Sequence, residues 1–399
     1  MENKEKLWNG NYLKMLVGNF SLFFSFMLLA PLLPLYLSET FGADKQIIGL
    51  VLSGYTITAL VSRAVSGYIV DSFPRKAVLL TGFFVFAMLF GGYLIAGSLL
   101  AFAVLRTIHG ISYGMATVSN NTVAVDVLPA SRRAEGIGYY GLSNNVATAI
   151  SPTIALWIYA ASNSYDLLFL LSLGVAVMGL VVVSLVRPKP FQRPEKRPKL
   201  TFDRLFLLKG WSLSVSLICY AFSYGVVATY VAIYGKEELG IAGGTGLFFA
   251  LFSIGLILSR LTGSRALKKG LVAHNAGLGS LVSMFGFLLF AGLHNPVGYY
   301  GAALVIGLGN GHMYPAFQSM LVELAPPDHY GTANSTLLVS WDIGVGIGII
   351  LGGSIAEAFG YHATFWTAWA ICAVGVAFYF LYSQRNYFRN RLSIQTTNK

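Results

Sequence analysis

The sequence predicts an all-α membrane protein with twelve transmembrane helices, and three observations carry that prediction. The 399-residue chain is 55% hydrophobic and only 11% charged, with mean hydropathy +0.66, whereas globular proteins carry about 25% charged residues. It divides into twelve apolar runs, each near the ~20 residues that cross a bilayer as a helix. A single long hydrophilic stretch, Arg187 to Lys209, interrupts it near the middle. A soluble fold of this composition would lack the polar side chains to cover its surface, so the bilayer is the solvent. The 44 glycines agree with this, because glycine is more frequent in membrane helices than in soluble ones.

The first six spans are expected at about 12–37, 46–70, 77–96, 99–127, 134–160 and 166–186. Pro31 and Pro34 should bend the outer part of the first. The first run is too long for a signal peptide and has no small-residue cleavage site, so it is expected to stay as a membrane anchor. The second six fall at about 208–235, 243–263, 272–292, 297–323, 332–357 and 363–383. The domain organisation is then an N-terminal six-helix bundle (1–186), a connector (187–209) and a C-terminal six-helix bundle (210–399). Pro188, Pro190, Pro194 and Pro198 deny the connector a continuous helix.

Lysine and arginine placement gives an orientation. With the N-terminus in the cytoplasm, inside segments hold 24 of the 27 basic residues, eight of them in the connector. Arg63 is counted there with Arg75 and Lys76. Outside segments hold only Lys45 and Lys236, and Arg106 falls within a span. Both termini are therefore expected to be cytoplasmic in a multi-pass protein of the plasma (inner) membrane.

Several function classes are disfavoured. The net charge of +11 is scattered through short loops with no aromatic platform, which argues against nucleic acid as a partner. Cys219 and Cys372 lie far apart in apolar runs and make neither a disulfide framework nor a metal spacing. The six histidines show no metal spacing either. No metal, no cofactor and no enzymatic activity are expected, and the chain is expected to act as a monomer.

The chain also repeats itself. An offset of 197 residues places Ser62-Arg63 on Ser259-Arg260, Gly82 on Gly279, Gly110 on Gly307, Gly114 on Gly311, and Asp126 on Glu323. It likewise places Ala147, Ser151 and Ala155 on Gly344, Gly348 and Gly352, small-residue faces that allow close helix approach. Parallel six-span repeats are a transporter architecture with the substrate site near the membrane midplane.

The loop after the second span, Gly67-Tyr-Ile-Val-Asp71-Ser-Phe-Pro-Arg75-Lys76, resembles the Major Facilitator Superfamily pattern G-x-x-x-D-R-x-G-R-[KR]. Gly67, Asp71, Arg75 and Lys76 match; Ser72 and Pro74 depart. Physically the pattern makes a releasable clasp. A small residue lets helices approach, and an aspartate near a helix N-terminus pairs with arginines such as Arg133. In the second copy Lys268 replaces the aspartate.

Arg106 and Gly110 match the family's fourth-span pattern R-x-x-x-G, with His109 between them. A charge in the bilayer centre costs at least about 2.5–3.5 kcal/mol, so Arg106 must face the bundle interior and find a partner. Asp342, about 15 Å into the eleventh span at 1.5 Å per residue, is the expected counter-charge and proton-coupling group. His109 is either a proton-handling group or a hydrogen-bonded interior histidine. The fifth span keeps Pro152 of the antiporter signature but none of its glycines.

The resemblance implies that spans 1, 4, 7 and 10 line a central cavity. Asn19, Tyr220, Tyr224, His312, Tyr314 and Gln318 on those spans, with Asn144 and Asn145 of span 5, are then candidate substrate residues. Each has an alternative role as interhelical glue. The implied function is secondary transport of a small-molecule substrate across the lipid bilayer, driven by protons, in the manner of exporter branches. Proton-coupled uptake and a transport-dead receptor remain as alternatives.

Overall fold

The computed structural model describes residues 6–188, 201–241, 245–268 and 270–392, with the helix path alone at 45–46, 245 and 260–268. The central part of the connector, 189–200, lies outside these residues. The described chain is helical, and it divides into two compact units, Met1–Leu205 and Phe206–Lys399.

The first unit runs α1 (Gly10–Leu29), α2 (Leu33–Phe41), α3 (Lys45–Ser72), α4 (Arg75–Leu94), α5 (Leu99–Val127), α6 (Arg133–Ser162), α7 (Tyr165–Ser184) and the short α8 (Phe202–Leu205). The second runs α9 (Trp211–Glu237), α10 (Thr245–Lys268), α11 (Val272–Gly292), α12 (Pro296–Leu324), α13 (Tyr330–Phe378) and α14 (Gln384–Asn390). Twelve membrane-length passes result, because α13 is two helices joined at Gly360 (φ 81°), a backbone conformation that glycine adopts without strain. Eight described helical segments are apolar enough to cross a membrane by length and composition, the last holding both halves of α13. Two of the other passes are more polar, α6 carrying Asn144 and Asn145 and α12 carrying Asn310, His312 and Gln318, while the described part of α10, Gly246–Ser259, is apolar but shorter.

Three expectations need correction. The first span is not one bent helix: the chain turns at Ala30–Leu32, and Pro34 sits in the first turn of α2, where its missing N–H costs nothing. The last span does not stop at 383; a π-helical turn at Tyr379–Ser383 carries it into α14. Arg63 is not a loop charge. It lies inside α3, only 8% exposed, and leaves the topogenic count one residue smaller.

Side-chain caps satisfy the first N–H groups of several helices. Asp44 accepts from Ile47 N at 2.8 Å, Ser98 from Ala101 N at 3.2 Å, and Asn295 from Gly298 N at 2.8 Å. Ser98 and Asn295 are 197 residues apart and cap equivalent helices, α5 and α12.

The packing repeats with the same offset. A Cβ built on Gly110 would lie 2.3 Å from the Tyr55 carbonyl oxygen, and one on Gly307 would lie 2.0 Å from that of Phe252. Gly114 faces Ser62 as Gly311 faces Ser259. Gly82 meets the Ala116 amide, and Gly279 the Met313 amide. In each unit these glycines bring α5 or α12 into backbone contact with its neighbours. Gly344 and Gly348 do the same for α13, against the carbonyls of Ile218 and Phe222 on α9.

Candidate functional site

In the first unit the functional side chains gather on α3, α4 and α5. Arg106 sits two turns into α5 and is 4% exposed. Its guanidinium lies 4.0 Å from the Tyr55 ring centroid and 5.4 Å from that of Phe26. Nη1 donates to the Tyr93 hydroxyl at 3.4 Å, and Nε has no hydrogen-bond partner among the described residues. The Tyr93 hydroxyl also lies 2.6 Å from His109 Nδ1. His109 is fully buried, ringed by Phe86, Phe90 and Tyr93.

The rings continue toward a second cation. Tyr55 stacks on Phe26 at 5.1 Å, Phe26 on Tyr113 at 4.7 Å, and the Arg63 guanidinium lies 5.3 Å over Tyr113. Arg63 Nε donates to Thr117 Oγ1 at 3.4 Å. Tyr55 and Tyr113 also lie 5.7 Å apart, so the three rings form a closed cluster, with Arg106 over Tyr55 and Arg63 over Tyr113 in cation–π contact. Arg106 was legible from the sequence as a charge inside a span. Arg63 was not, because only the tertiary fold shows Tyr113 and Thr117 facing it.

Asn19 bridges α1, α5 and α6. It donates to Tyr140 O at 3.2 Å and Ser143 Oγ at 2.9 Å, and accepts from Asn120 Nδ2 at 3.1 Å. Asn144 accepts from Thr148 Oγ1 at 3.2 Å. Asn144 and Asn145 are half-buried on α6.

In the second unit Trp341 is the hub. Tyr220 and Tyr224 of α9 lie 5.9 and 5.2 Å from it, and Tyr314 of α12 meets it edge-on at 5.1 Å. Asp342 follows it directly, half-buried, twelve residues into α13. The other described carboxylates lie at or near helix ends. Trp341 was missed as a site residue. The signal for it was present, since an amphipathic aromatic beside an intramembrane carboxylate has a polar N–H as well as a ring. His312 and Gln318 are buried in pairs: His312 Nδ1 lies 2.8 Å from Asn275 Oδ1, and Gln318 Nε2 donates to Asn334 Oδ1 at 2.8 Å.

The clasp is assembled at the end of the first unit that carries the Gly67–Lys76 loop. Asp71, 3% exposed, receives Arg75 Nη2 at 3.3 Å, and Arg75 Nη1 reaches Asp126 of α5 at 2.5 Å. Gly67 is buried and Lys76 half-buried. Arg133 opens α6, while its neighbour Arg132 holds Glu135 through Nη2 at 2.8 Å. Asp126, which sequence reasoning used only as a repeat marker, is the acceptor that ties the loop to α5. It also lines a cavity of about 400 Å³ with Asn9, Asn11, Lys14 and Arg187. In the second unit Glu323, 197 residues on, instead accepts a short hydrogen bond from the Tyr387 hydroxyl.

At the opposite end of the second unit, the His294 and His362 rings lie 3.6 Å apart. His362 Nε2 is 3.1 Å from Glu238 Oε2, and the Tyr234 hydroxyl is 3.2 Å from His294 Nδ1. Burial, and then the neighbouring His362, hold the His294 imidazole below its ordinary range. Among the described residues no cluster of histidine, cysteine and carboxylates suited to a metal ion is found.

Twelve helical passes in two repeats, with buried charge and aromatic clusters inside the helices, are the architecture of a multi-pass membrane transporter. The sequence model of the Major Facilitator Superfamily matches residues 15–349 and 276–396, and the chain belongs to that family. It is 25% identical over 332 residues to the staphylopine export protein of Staphylococcus aureus, covering 80% of this chain and 83% of that protein. To the quinolone resistance protein NorA of the same species it is 24% identical over 246 residues, 59% of this chain and 63% of that one. Its fold matches that of the Major Facilitator Superfamily transporter FucP in the outward conformation, with TM-score 0.78 and 16% identity, covering 95% of this chain and 99% of that one.

Proposed function

We propose that the protein is a proton-coupled exporter of a small organic solute that works by alternating access in the plasma membrane. The single observation that carries the coupling is Asp342, a carboxylate well inside a long helix and next to an aromatic cluster. Intramembrane ionisable residues are expensive and mark ion or proton pathways. A carboxylate whose surroundings alternate between apolar contact and water would bind and release a proton once per cycle. Arg106 is a fixed cation of the first unit, and His109 the polar group linked to it through Tyr93.

Export is favoured by two relatives whose names denote export and drug resistance. The excess of lysine and arginine at the connector and loop ends favours cytoplasmic termini. Asn144, Asn145, Tyr224 and Tyr314, half-buried, are the substrate-contact residues this reading favours. Tyr220 adds a ring to the same cluster. Asn19, His312 and Gln318 would shape the site from behind, since their polar atoms are engaged within the helices. The Gly67–Lys76 clasp, with Asp71 and Arg75 at its centre, would close the cytoplasmic side in one state and release it in the other. Arg133 and Lys76 supply further charge there. The connector would serve as topogenic charge and as a tether.

The test uses proteoliposomes with an imposed inside-acid gradient and a pH dye inside. Substrate addition should dissipate the gradient in wild type and not in Asp342→Asn. Undiminished substrate-linked proton movement in that variant would remove Asp342 from the coupling role.

A further inference from the structure

We infer that the cavity where α1, the end of α5 and the start of the connector meet binds the phosphate of an anionic phospholipid, in the leaflet on the connector's side. The site is separate from Asp342 and the aromatic clusters, and its occupancy is read without any transported solute.

The cavity, about 400 Å³, is lined by Asn9, Asn11, Lys14, Asp126 and Arg187 among others. Most of its polar groups are committed. Asn9 Nδ2 donates to Val127 O at 3.1 Å. Asn11 pairs with the Arg187 backbone, donating to its carbonyl at 2.9 Å and accepting from its amide at 3.1 Å. Asp126, the carboxylate of the lining, holds Arg75 at 2.5 Å. The two cations are different. Lys14 Nζ gives one hydrogen bond, to Leu185 O at 3.1 Å, and keeps two further donors. The Arg187 side chain is exposed, and its guanidinium has no partner among the described residues. The carboxylate is therefore neutralised and the two cations are not.

The level is that of the membrane–water interface. One turn further along α1, a Cβ on Gly18 would lie 2.2 Å from Val183 Cγ1, so α1 and α7 pack without a gap. Beside that seam Leu13, Val17, Val181 and Leu185 are exposed apolar side chains, a surface that acyl chains cover. The repeat marks the same level in the second unit. Lys14 and Leu185 fall, 197 residues on, at Trp211 and Tyr382, exposed rings 5.4 Å apart. Tryptophan and tyrosine collect at the headgroup level. Arg187 falls at Gln384. The fold thus does not require cations at this place, since the second unit fills it with rings and an amide.

Basic pockets between membrane helices at this level suit anionic headgroups. A phosphodiester offers two oxygens to the arginine fork and one to the lysine point charge. A choline headgroup carries the same phosphate, but its trimethylammonium would sit beside two cations.

The test uses the purified full-length protein in neutral detergent. Dioctanoyl-phosphatidylglycerol, dioctanoyl-phosphatidylcholine and inorganic phosphate are titrated separately, and the melting temperature is read, since a ligand of the folded state raises it. The glycerol lipid should act saturably and at the lowest concentration. Arg187→Gln should weaken it about fivefold and Lys14→Gln/Arg187→Gln about 30-fold, the loss for one and two basic groups at an anionic surface. Arg187→Gln keeps both backbone bonds to Asn11, so it decides alone if the double variant does not fold. Arg389→Gln, an exposed arginine of α14, is the control and should change nothing.

Equal potency of the choline lipid overturns the inference, because charge is then not read. Inorganic phosphate as potent as the lipid makes this a free-phosphate site and overturns the lipid assignment. An unchanged response in Arg187→Gln, or an equal loss in Arg389→Gln, shows attraction spread over the surface and overturns the site.

Discussion

The Tyr93 hydroxyl lies 2.6 Å from His109 Nδ1 and accepts from Arg106 at 3.4 Å. Arginine can only donate, so the phenol proton is free to point at the imidazole. The arrangement that uses both contacts has Tyr93 donating to Nδ1 and the His109 proton on Nε2, which, like Arg106 Nε, has no hydrogen-bond partner among the described residues. Tyr93 is the joint through which α4 fixes Arg106 and His109 of α5.

Tyr93→Phe should then loosen two residues at once. The loss is a buried hydroxyl with two hydrogen bonds, about 1–3 kcal/mol. Thermal unfolding in detergent should show a lower melting temperature, and transport should fall because Arg106 and His109 are no longer held. An unchanged melting temperature with unchanged transport would show that the phenol does not position them.

Glycine-to-alanine changes at the repeat-related contacts should behave as a pair. At Gly110 and Gly307 the added methyl would meet a backbone carbonyl at 2.3 and 2.0 Å, and neither backbone can swing aside as a side chain would. Each variant should lose about 1–3 kcal/mol through forced helix separation. Gly174 of α7 is the control, since a Cβ there meets nothing within 4 Å. Gly174→Ala should be neutral or stabilising by up to about 1 kcal/mol, the helix-propensity gain. Melting temperatures of the three proteins decide the matter, and a Gly110→Ala variant as stable as wild type would contradict the close α3–α5 packing.

The passes were legible because each is a local property of composition. The bounds expected for α5 and α11, 99–127 and 272–292, coincide with those observed. The 197-residue offset also held at the level of contacts, because a glycine that permits backbone approach is needed wherever that approach recurs. What was not legible was tertiary. Arg63 reads as one more loop-side charge until Tyr113 is seen beneath it. For Trp341 the sequence offers only its place beside Asp342; that Tyr220, Tyr224 and Tyr314 converge on it is tertiary. Asp126 reads as a helix-end acid until Arg75 reaches it from the first turn of α4. Each is set by partners many residues away, which hydropathy and spacing do not encode.

Acid should destabilise the end of the second unit that holds the histidine pair. His294 titrates below its ordinary range when folded, because burial and His362 disfavour its charged form. The unfolded chain, with an ordinary histidine pKa of about 6.5, then takes up the proton first as pH falls. Stability is therefore level above that value and declines as pH drops through it toward the lower folded value. Glu238, Tyr234 and the second imidazole face the same spot, and Glu238 partly offsets the effect. The slope should be small, since His294 is exposed to solvent on one side. His294→Gln should flatten the melting-temperature profile between pH 7.5 and pH 5.5, values chosen about one unit either side of the ordinary pKa. An identical slope in the variant would place the acid sensitivity elsewhere.

The two units should differ in how much they depend on their repeat-related carboxylates. Asp126 meets a cation, Arg75, which also holds the Asp71 carboxylate, whose side chain is 0% exposed. Glu323 accepts from the Tyr387 phenol, and Arg391 lies near the same hydroxyl. Arg75→Gln removes the charge that two carboxylates share, and cutting one member of a buried ion pair costs about 3–5 kcal/mol. At 13% exposure the Arg75 side chain keeps some contact with solvent, so the lower part of that range is expected. Arg75→Lys should rescue only in part, because a point charge cannot span both carboxylates as the fork does. Glu323→Gln retains a hydrogen-bond acceptor for Tyr387 and should cost less than Arg75→Gln. Melting temperatures of the three variants give the comparison, and transport rates show whether the clasp also gates. A Glu323→Gln loss as large as that of Arg75→Gln would mean that the charged clasp of the first unit has no special role, and that both carboxylates act only as helix-end hydrogen-bond acceptors.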